Sequence, residues 1–290
     1  MLTLKNDYLT VKINPLGAEL TSVVDNETQL EYMWQADKAY WGRHAPILFP
    51  IVGRLQDNQY RLGETTYHMT QHGFARDREF TVIDQTPTQV TLELTADDQS
   101  RALFPADFTL TVTFELIDHQ LRFSADVFNP ATTTLPFSIG AHPGFNVPLG
   151  DALADFTDYQ VTVSPKKTYQ RVPLVGPYSD SQHTEPLDLT QPLGLDHGLF
   201  AHDAQVLTLD IETTVMLSTP TNDHGVALTT TAPYLGIWSP YPKQAPFVCL
   251  EPWWGLADDV QATGELTTKV AIHHLAAQQH FQAAYQVTYF

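Results

Sequence analysis

Apolar and polar residues alternate with a period of two through most of this chain. The clearest case is residues 108–116, whose apolar side chains share one face: Phe108, Leu110, Val112, Phe114 and Leu116. Strict alternation of this kind predicts a half-buried β-strand. Asp118-His119 then indicates a tight connection to a partner strand at residues 121–127, so the two segments predict a hairpin.

The same pattern predicts strands at residues 8–13, 18–24, 90–95, 161–164, 206–211, 226–231, 234–238, 266–272 and 281–289. Helical periodicity is scarce. Residues 97–104 predict one short helix, with Asp97 or Asp98 as its cap and Pro105 beyond its end. Strands and helices do not alternate, which argues against a parallel α/β fold. We therefore expect an all-β fold, a large antiparallel β-sandwich with very little helix, forming a single domain over residues 1–290.

Composition narrows the possible partners. The chain has 290 residues and a formal net charge of −18, which disfavours nucleic acid and anionic membrane surfaces. The single cysteine, Cys249, cannot form an internal disulfide and lies in an apolar run, so we interpret it as a small buried hydrophobe. The lack of disulfides, of a signal-length apolar segment at the start and of a membrane-length apolar run predicts a cytoplasmic protein.

His142 is a first candidate for chemistry. The apolar run at residues 135–140 leads into Ala141-His142-Pro143-Gly144. Pro143 biases His142 toward an extended backbone, and Gly144 allows a sharp bend just beyond it. The stretch predicts a histidine held stiffly at a strand end, suited to a catalytic acid or base. A purely structural histidine remains an alternative.

Glu251 is a second candidate. It directly follows the apolar run at residues 247–250, so we expect it at a strand end beside Trp253 and Trp254. Partial desolvation there would raise its pKa toward the range of a general base. The indole rings offer flat apolar faces of the kind on which sugars stack. The alternative is a structural glutamate at a turn, with core tryptophans.

Two further polar stretches could contribute to a site. His72 precedes Gly73, and Asp196 precedes His197-Gly198 in a loop where a carboxylate could accept hydrogen bonds from sugar hydroxyls. Each could equally be a residue that only forms its turn.

Arginines concentrate in one region of this acidic chain. Five of them lie between positions 43 and 78: Arg43, Arg54, Arg61, Arg76 and Arg78. Guanidinium groups suit phosphate and carboxylate geometry, so the cluster could form an anion site. We expect Arg61 and Arg78 to be solvated charges on strand faces.

Other chemistries have little support in the sequence. His273 and His274 are adjacent on a predicted strand and would point to opposite faces, so they do not form a metal pair. Nucleophile elbows, phosphate loops and dinucleotide fingerprints do not occur. We therefore expect no metal and no organic cofactor.

Taken in order, the polar stretches resemble the aldose 1-epimerase (galactose mutarotase-like) family, in particular its LacX-like bacterial branch. The resemblance rests on residues 14–20, His72-Gly73-Phe74-Ala75-Arg76, Ala141-His142-Pro143-Gly144-Phe145, Asp196-His197-Gly198-Leu199-Phe200 and Glu251-Pro252-Trp253-Trp254-Gly255. Together these motifs extend over most of the chain.

The resemblance implies a β-supersandwich with a sugar cleft on one sheet. It implies His142 as general acid, Glu251 as general base, and His72 and Asp196 as substrate-binding residues. The reaction would interconvert the α and β anomers of a hexose by opening and closing the sugar ring, without a cofactor. The partner would be a small sugar, and the protein a monomer or homodimer.

The sequence does not decide which sugar would be the substrate. Galactose mutarotases carry Asn-Arg-Ile shortly after Val-Gly-Arg, whereas here Asp57-Asn58-Gln59 follows Val52-Gly53-Arg54. The His-Gly-Phe-Ala-Arg form is shared with hexose-6-phosphate 1-epimerases, so Arg54 and Arg76 could face a phosphate. A non-catalytic sugar-binding protein is a further alternative. So is a glycoside hydrolase that pairs Glu251 with Asp196, Asp258 or Asp259.

Overall fold

The structure, a computed structural model, describes residues 1–150 and 153–290. The strands in chain order are β1 Leu2–Lys5, β2 Leu9–Asn14, β3 Glu19–Asp25, β4 Ile47–Leu48, β5 Gln59–Leu62, β6 Thr65–His68, β7 Thr81–Gln85, β8 Gln89–Thr95, β9 Thr109–Ile117, β10 Gln120–Phe128, β11 Leu135–Phe137, β12 Ile139–Ala141, β13 Gly144–Asn146, β14 Gln160–Ser164, β15 Thr168–Val172, β16 Leu174–Val175, β17 Tyr178–Ser179, β18 Glu185–Asp188, β19 Leu193–Gly194, β20 Gln205–Thr208, β21 Thr213–Ser218, β22 Gly225–Thr230, β23 Tyr234–Trp238, β24 Phe247–Trp254, β25 His273–Leu275 and β26 His280–Tyr289. The helices are α1 Asp98–Leu103 and 3₁₀ turns at Gln56–Asn58, Ala75–Asp77, Phe156–Asp158, His197–Phe200 and Leu266–Thr268.

Two large antiparallel sheets contain most of these strands. A nine-stranded sheet has the order β19-β14-β21-β22-β26-β10-β9-β8-β7. An eight-stranded sheet has the order β18-β15-β20-β23-β24-β12-β4, with β13 also paired to β24. The all-β, antiparallel prediction is therefore confirmed. None of the helices in the described part of the chain has the length and apolar character needed to cross a bilayer.

The predicted hairpin lies inside the nine-stranded sheet, between β26 and β8. Ile117 of β9 pairs with Gln120 of β10, and Asp118 takes a left-handed backbone at the turn (φ 50°). The alternate apolar residues of β9 are buried, as their spacing predicts. The hairpin is thus a local feature that residue pattern and turn chemistry specify together.

A single large apolar cluster joins the two sheets. It contains Leu110 and Val112 from the nine-stranded sheet and Val248 and Leu250 from the eight-stranded sheet. Each fully buried aliphatic side chain contributes about 1.5–3 kcal/mol. Because one face of the eight-stranded sheet supplies this core, its opposite face is available for a site.

The short helix is confirmed. Asp97 caps α1, accepting from the Ser100 N–H at 2.7 Å, while the Ser100 hydroxyl accepts from the Asp97 N–H at 2.9 Å. This reciprocal pair satisfies two backbone donors that the helix itself leaves unpaired.

The strand predicted at residues 266–272 is wrong. Leu266–Thr268 is a 3₁₀ turn, and the buried positions Leu266 and Lys269 are three residues apart rather than two. The Lys269 ammonium explains this backbone. It points inward, donating to the Leu256 carbonyl at 2.7 Å and pairing with Asp258 at 3.2 Å.

Candidate active site

Strand β24 supplies the centre of the site. All its residues are buried, because both faces are covered. Val248, Leu250 and Trp254 face the main core, while the intervening positions form the other face: Phe247, Cys249, Glu251 and Trp253. Glu251 was expected at a strand end and lies instead inside β24, because its pairing with β23 continues through Pro252, opposite Leu235.

His142 follows β12 directly, so its predicted strand-end position is confirmed. The His142 N–H donates to the Pro46 carbonyl at 3.1 Å, which fixes the backbone there. Since β12 pairs with β24, the imidazole is brought against Glu251: His142 Nε2 and Glu251 Oε2 are 3.1 Å apart. The two residues are only 7% and 1% exposed.

Aromatic rings hold the His142 imidazole in place. Trp41 stacks on it with ring centroids 4.7 Å apart, and Trp238 contacts it edge-on at 5.4 Å. The His72 ring stands perpendicular to it at 5.6 Å. The imidazole therefore has little rotational freedom and a largely apolar environment.

This environment opposes charge on both members of the pair. Burial, reinforced by Arg76 and Arg43, lowers the pKa of His142 to about 3. Burial, reinforced by the Asp203 carboxylate, raises the pKa of Glu251 well above its usual range. Between these limits the pair holds one proton, carried by either the imidazole or the carboxyl group. Such a pair contains one proton donor and one acceptor at neutral pH.

His72 is a neutral donor beside the pair. Its backbone is left-handed (φ 67°), its N–H donates to the Gly53 carbonyl at 2.8 Å, and its Nδ1 accepts from the Gly53 N–H at 3.1 Å. Because Nδ1 accepts, the ring proton is on Nε2. Burial, with further contributions from His142 and nearby arginines, lowers the pKa of His72 well below its usual range.

A cavity of about 460 Å³ opens onto these residues. Its lining includes five of the residues that the sequence singled out: His72, Arg76, His142, Glu251 and Trp253. Gln71, Trp41, Trp238 and Asp203 also line it. The size and the mixture of aromatic and polar groups suit a small polar ligand.

The two candidate arginines lie at different depths. Arg76 lines the cavity, and its guanidinium donates to the Gln71 carbonyl. Arg54 is not part of the lining but donates to the Gln71 side chain at 3.1 Å, so it supports a residue that is. Burial, reinforced by Arg43, lowers the pKa of Arg76 to about 10, so it stays cationic at neutral pH.

The structure does not bring Asp196 to this cavity. Asp196 is exposed and caps the 3₁₀ turn at His197–Phe200, accepting from the Gly198 N–H at 2.7 Å. Asp203, at the other end of the same loop, lines the cavity instead, with Oδ1 accepting from the Ala204 N–H at 2.9 Å. Burial raises the pKa of Asp203, although hydrogen bonding and the charge of Arg54 offset part of the rise.

Sequence reasoning missed Asp203, Trp41 and Trp238. Asp203 had a usable signal: it precedes the strand predicted at residues 206–211 and lies seven residues from the singled-out Asp196. Trp41 and Trp238 gave no such signal in the sequence, since neither belongs to a motif with known spacing. Trp238 reaches His142 through the pairing of β23 with β24, and Trp41 reaches it from the loop that precedes β4.

Fold, site and motifs agree with a comparison against known families. The aldose 1-epimerase family model matches residues 1–272, so the chain belongs to the aldose 1-epimerase family. That membership supports a carbohydrate epimerase and a sugar as its substrate.

Particular relatives are similar over nearly their full length. The plasmid-encoded protein LacX of Lactococcus lactis subsp. lactis is 33% identical, with 99% of this chain and 98% of that protein covered. A galactose mutarotase related enzyme from Lactobacillus acidophilus is 38% identical with a TM-score of 0.98, covering 100% of this chain and 97% of that one. A galactose mutarotase-like protein from Lactobacillus casei ATCC 334 is 37% identical with a TM-score of 0.91, both chains being fully covered.

Proposed function

We propose that the protein is an aldose 1-epimerase that interconverts the α and β anomers of a free hexose. The observation that supports this most is the buried His142–Glu251 pair at the cavity, with Nε2 and Oε2 3.1 Å apart. The pair holds one proton over a wide pH range, as a reaction with one proton donated and one removed requires.

The closeness of the two groups suits the geometry of the reaction. The hydroxyl oxygen and the ring oxygen of a cyclic aldose are both bonded to C1, so an acid and a base that act on them must be neighbours. A glycoside hydrolase needs two carboxyls about 5 Å or more apart on opposite sides of a bond. Here the group next to Glu251 is an imidazole, which favours anomer exchange.

The steps follow from this placement. Glu251 removes the proton from the C1 hydroxyl while His142 donates a proton to the ring oxygen. The bond between C1 and the ring oxygen breaks, leaving a carbonyl at C1 and a hydroxyl where the ring oxygen was. The C1 group rotates by half a turn, and the same two proton transfers in reverse close the ring on the other face of C1. Each proton transfer by a positioned group is worth about 10²–10⁴ in rate.

The remaining lining residues would orient the sugar. His72 Nε2–H and the Arg76 guanidinium donate to hydroxyl oxygens, Asp203 accepts from hydroxyls, and the Trp253 ring packs on the C–H face. Asp196 stays a predicted substrate residue that would need a change of position to reach the cavity.

Polarimetry on freshly dissolved sugars tests the proposal. The wild-type protein is expected to accelerate mutarotation of α-glucose or α-galactose well beyond buffer. If a sugar binds by calorimetry and no anomer exchange is accelerated, the protein is a sugar-binding protein and the proposal is wrong. Release of reducing sugar from an aryl glycoside would instead indicate a hydrolase.

A hexose 6-phosphate is a second candidate substrate, favoured by one observation. The Nε atom of Arg76, which lines the cavity, is buried and has no hydrogen-bond partner within residues 1–150 and 153–290. Guanidinium donors without partners are costly unless a ligand uses them, and a phosphate would do so in the bidentate manner that arginine favours.

Glucose 6-phosphate and glucose can be compared on the same variants. If phosphate is recognised, Arg76→Lys raises KM for glucose 6-phosphate at least about tenfold and changes KM for glucose less. Arg61→Gln is the matched control, because Arg61 is exposed and donates to the Thr263 carbonyl away from the cavity. Equal effects of Arg76→Lys on both sugars would exclude phosphate recognition by this arginine.

A further inference from the structure

Cys249 lies directly beside the His142–Glu251 pair. Cys249 and Glu251 are two residues apart on β24 and therefore share a face of the strand. A ring nitrogen of His142, the sulfur of Cys249 and a carboxylate oxygen of Glu251 all lie within 4.8 Å of one another. His142 and Glu251 line the cavity, whereas Cys249 has no exposed surface and is not part of the lining.

Two of these side chains have uncommitted polar atoms. In the part of the chain that the structure describes, His142 Nδ1 and Glu251 Oε2 are buried without an aligned hydrogen bond, although Oε2 is close to Nε2. Both residues are more than nine-tenths buried. Unpaired buried acceptors of this kind are rare in native proteins, and they occur where catalysis, water or an ion uses them.

We propose that His142, Cys249 and Glu251 form a binding site for a thiophilic divalent cation such as Zn²⁺, which blocks the active site when it binds. Zinc favours imidazole nitrogen, thiolate sulfur and carboxylate oxygen, and sites with three protein ligands leave a fourth position open. The cavity is the side from which an ion would enter, since two of the ligands line it.

The required movement is small. The donor atoms of a tetrahedral zinc site are about 3.3–3.6 Å apart, given bond lengths of about 2.0–2.3 Å. With all three atoms already within 4.8 Å of one another, side-chain shifts of about 1 Å would complete the geometry.

Proton competition is a general property of such a site. Zinc binds the neutral imidazole, the thiolate and the carboxylate, so protons compete with the ion for the ligand atoms and Zn²⁺ affinity should fall as the pH is lowered.

Binding of the ion does not depend on the proposed function, but its role as an inhibitor does. An ion held by His142 and Glu251 removes both the acid and the base. Inhibition would be competitive with the sugar and reversed by a chelator.

Titration of the intact protein with ZnCl₂ against a chromophoric chelator tests the site, together with the absorption spectrum of its Co²⁺ complex. We expect one tight Zn²⁺ per chain and a thiolate-to-Co²⁺ charge-transfer band in the near ultraviolet. Cys249→Ala should abolish the band and weaken Zn²⁺ binding at least tenfold. His280→Gln is the control, because His280 pairs with Asp126 at the surface (2.7 Å) and should change neither result.

The two proposals fail in different ways. A wild-type protein without the charge-transfer band, or Cys249→Ala with unchanged Zn²⁺ affinity, would overturn the metal site and leave the epimerase proposal intact. If the charge-transfer band is present but the protein does not accelerate anomer exchange, the epimerase proposal is overturned and the metal site stands. If Cys249→Ala does not fold, X-ray absorption on the zinc-bound wild type decides, since sulfur must be among the zinc ligands.

Discussion

At the scale of single residues, burial governs the protonation of His142 and Glu251. Burial disfavours charge on both, and their separation of 3.1 Å lets one proton serve the pair. Neighbouring charges then decide where on the pH scale the pair gains or loses a proton. Asp203 is the neighbour with the clearest effect on Glu251.

Asp203→Asn should therefore move the alkaline limb of the rate profile. The negative charge of Asp203 raises the pKa of Glu251, so removing it lowers that pKa. We expect kcat/KM for the most active sugar to decline at a lower pH than in the wild type, and KM to rise about tenfold because a hydroxyl acceptor is weakened. The measurement is kcat/KM by polarimetry from pH 5 to 10.

Comparing Asp196→Asn with Asp203→Asn tests which of the two loop aspartates binds the substrate. The Asp196 side chain caps a turn outside the cavity, and Asn caps about as well as Asp, so Asp196→Asn should change neither stability nor activity appreciably. A larger effect on KM from Asp196→Asn than from Asp203→Asn would show that the sequence motif, and not the structure, identified the substrate carboxylate.

Residue types and motif order were enough to single out His142, Glu251, His72, Arg76 and Trp253 in advance. They were not enough to place Asp203, because two loop aspartates seven residues apart look alike until the loop closes on the sheet. The proximity of Cys249 to His142 was equally hidden, since it depends on pairing between Gly144 and Cys249 across about 100 residues of sequence.

At the scale of elements, β24 serves both the core and the site. Such a strand shows no alternation in sequence, because apolar residues are needed on both faces. The apolar run at residues 247–250 therefore predicts only the first half of the strand and places Glu251 at its end, whereas β24 continues to Trp254. Strands with one wet face, such as β9, were predicted correctly from their period. Alternation wrongly predicts a strand at residues 266–272, because it assigns Lys269 to the surface. In the structure the Lys269 side chain points inward and pairs with Asp258.

Gly73 offers a test of how tightly the His72 segment is held. Its φ is 71°, and an added Cβ would lie 2.3 Å from the Phe49 carbonyl oxygen. Gly73→Ala should lower the free energy of unfolding by about 3 kcal/mol or more, because backbone must move. It should also raise KM, since His72 is adjacent. Urea denaturation gives the first value and polarimetry the second.

Gly63→Ala is the matched control. Gly63 has a similar φ of 60°, but apart from its chain neighbours no heavy atom of the described residues lies within 4 Å of its added Cβ. It should cost only the left-handed backbone penalty of about 1 kcal/mol. Equal losses in both variants would mean that the contact with Phe49 is not restrictive.

At the scale of the whole molecule, the site joins distant parts of the chain. The cavity lining comes from segments near residues 41, 53, 71–76, 142, 174–179, 200–204, 238–241 and 251–257. Local pattern predicted that strands exist and that neighbours along the chain form hairpins. It could not predict the order of strands in the eight-stranded sheet, because that order depends on contacts distant in sequence.

Acid should destabilise the protein through its buried histidines. The unfolded pKa of histidine is about 6.5, whereas that of His142 in the native state is about 3. The unfolded chain alone binds protons between these values, so stability is present above pH 6.5 and is lost as the pH falls. Each such histidine contributes a slope of about 1.4 kcal/mol per pH unit. His142→Asn should therefore flatten the loss of stability between pH 6 and 4.5.

Glu251→Gln should act in the opposite sense. The pKa of Glu251 is raised in the native state, so its stabilising contribution is present below pH 4.5 and is lost as the pH rises. In Glu251→Gln, the acid-induced loss of stability that comes from the histidines is no longer offset. The free energy of unfolding should therefore fall more steeply as the pH is lowered. Parallel stability curves for the wild type and both variants, from urea denaturation at each pH, would contradict these pKa shifts.

That residues 1–290 form one domain stays a prediction. The apolar cluster shared by both sheets should make unfolding a single cooperative transition. Coincident urea curves from tryptophan fluorescence and far-ultraviolet circular dichroism would support one unit. Two separated transitions would mean that the chain divides.

The central claim is that His142 and Glu251 together exchange anomers. Magnetisation-exchange NMR between the α and β C1 signals, at pH 7 and at sugar equilibrium, measures this directly for glucose, galactose and glucose 6-phosphate. We predict rapid exchange with the wild type for at least one sugar, and rates about 10²–10⁴-fold lower in both His142→Asn and Glu251→Gln. Wild-type exchange no faster than in buffer, or unchanged exchange in both folded variants, would contradict the account.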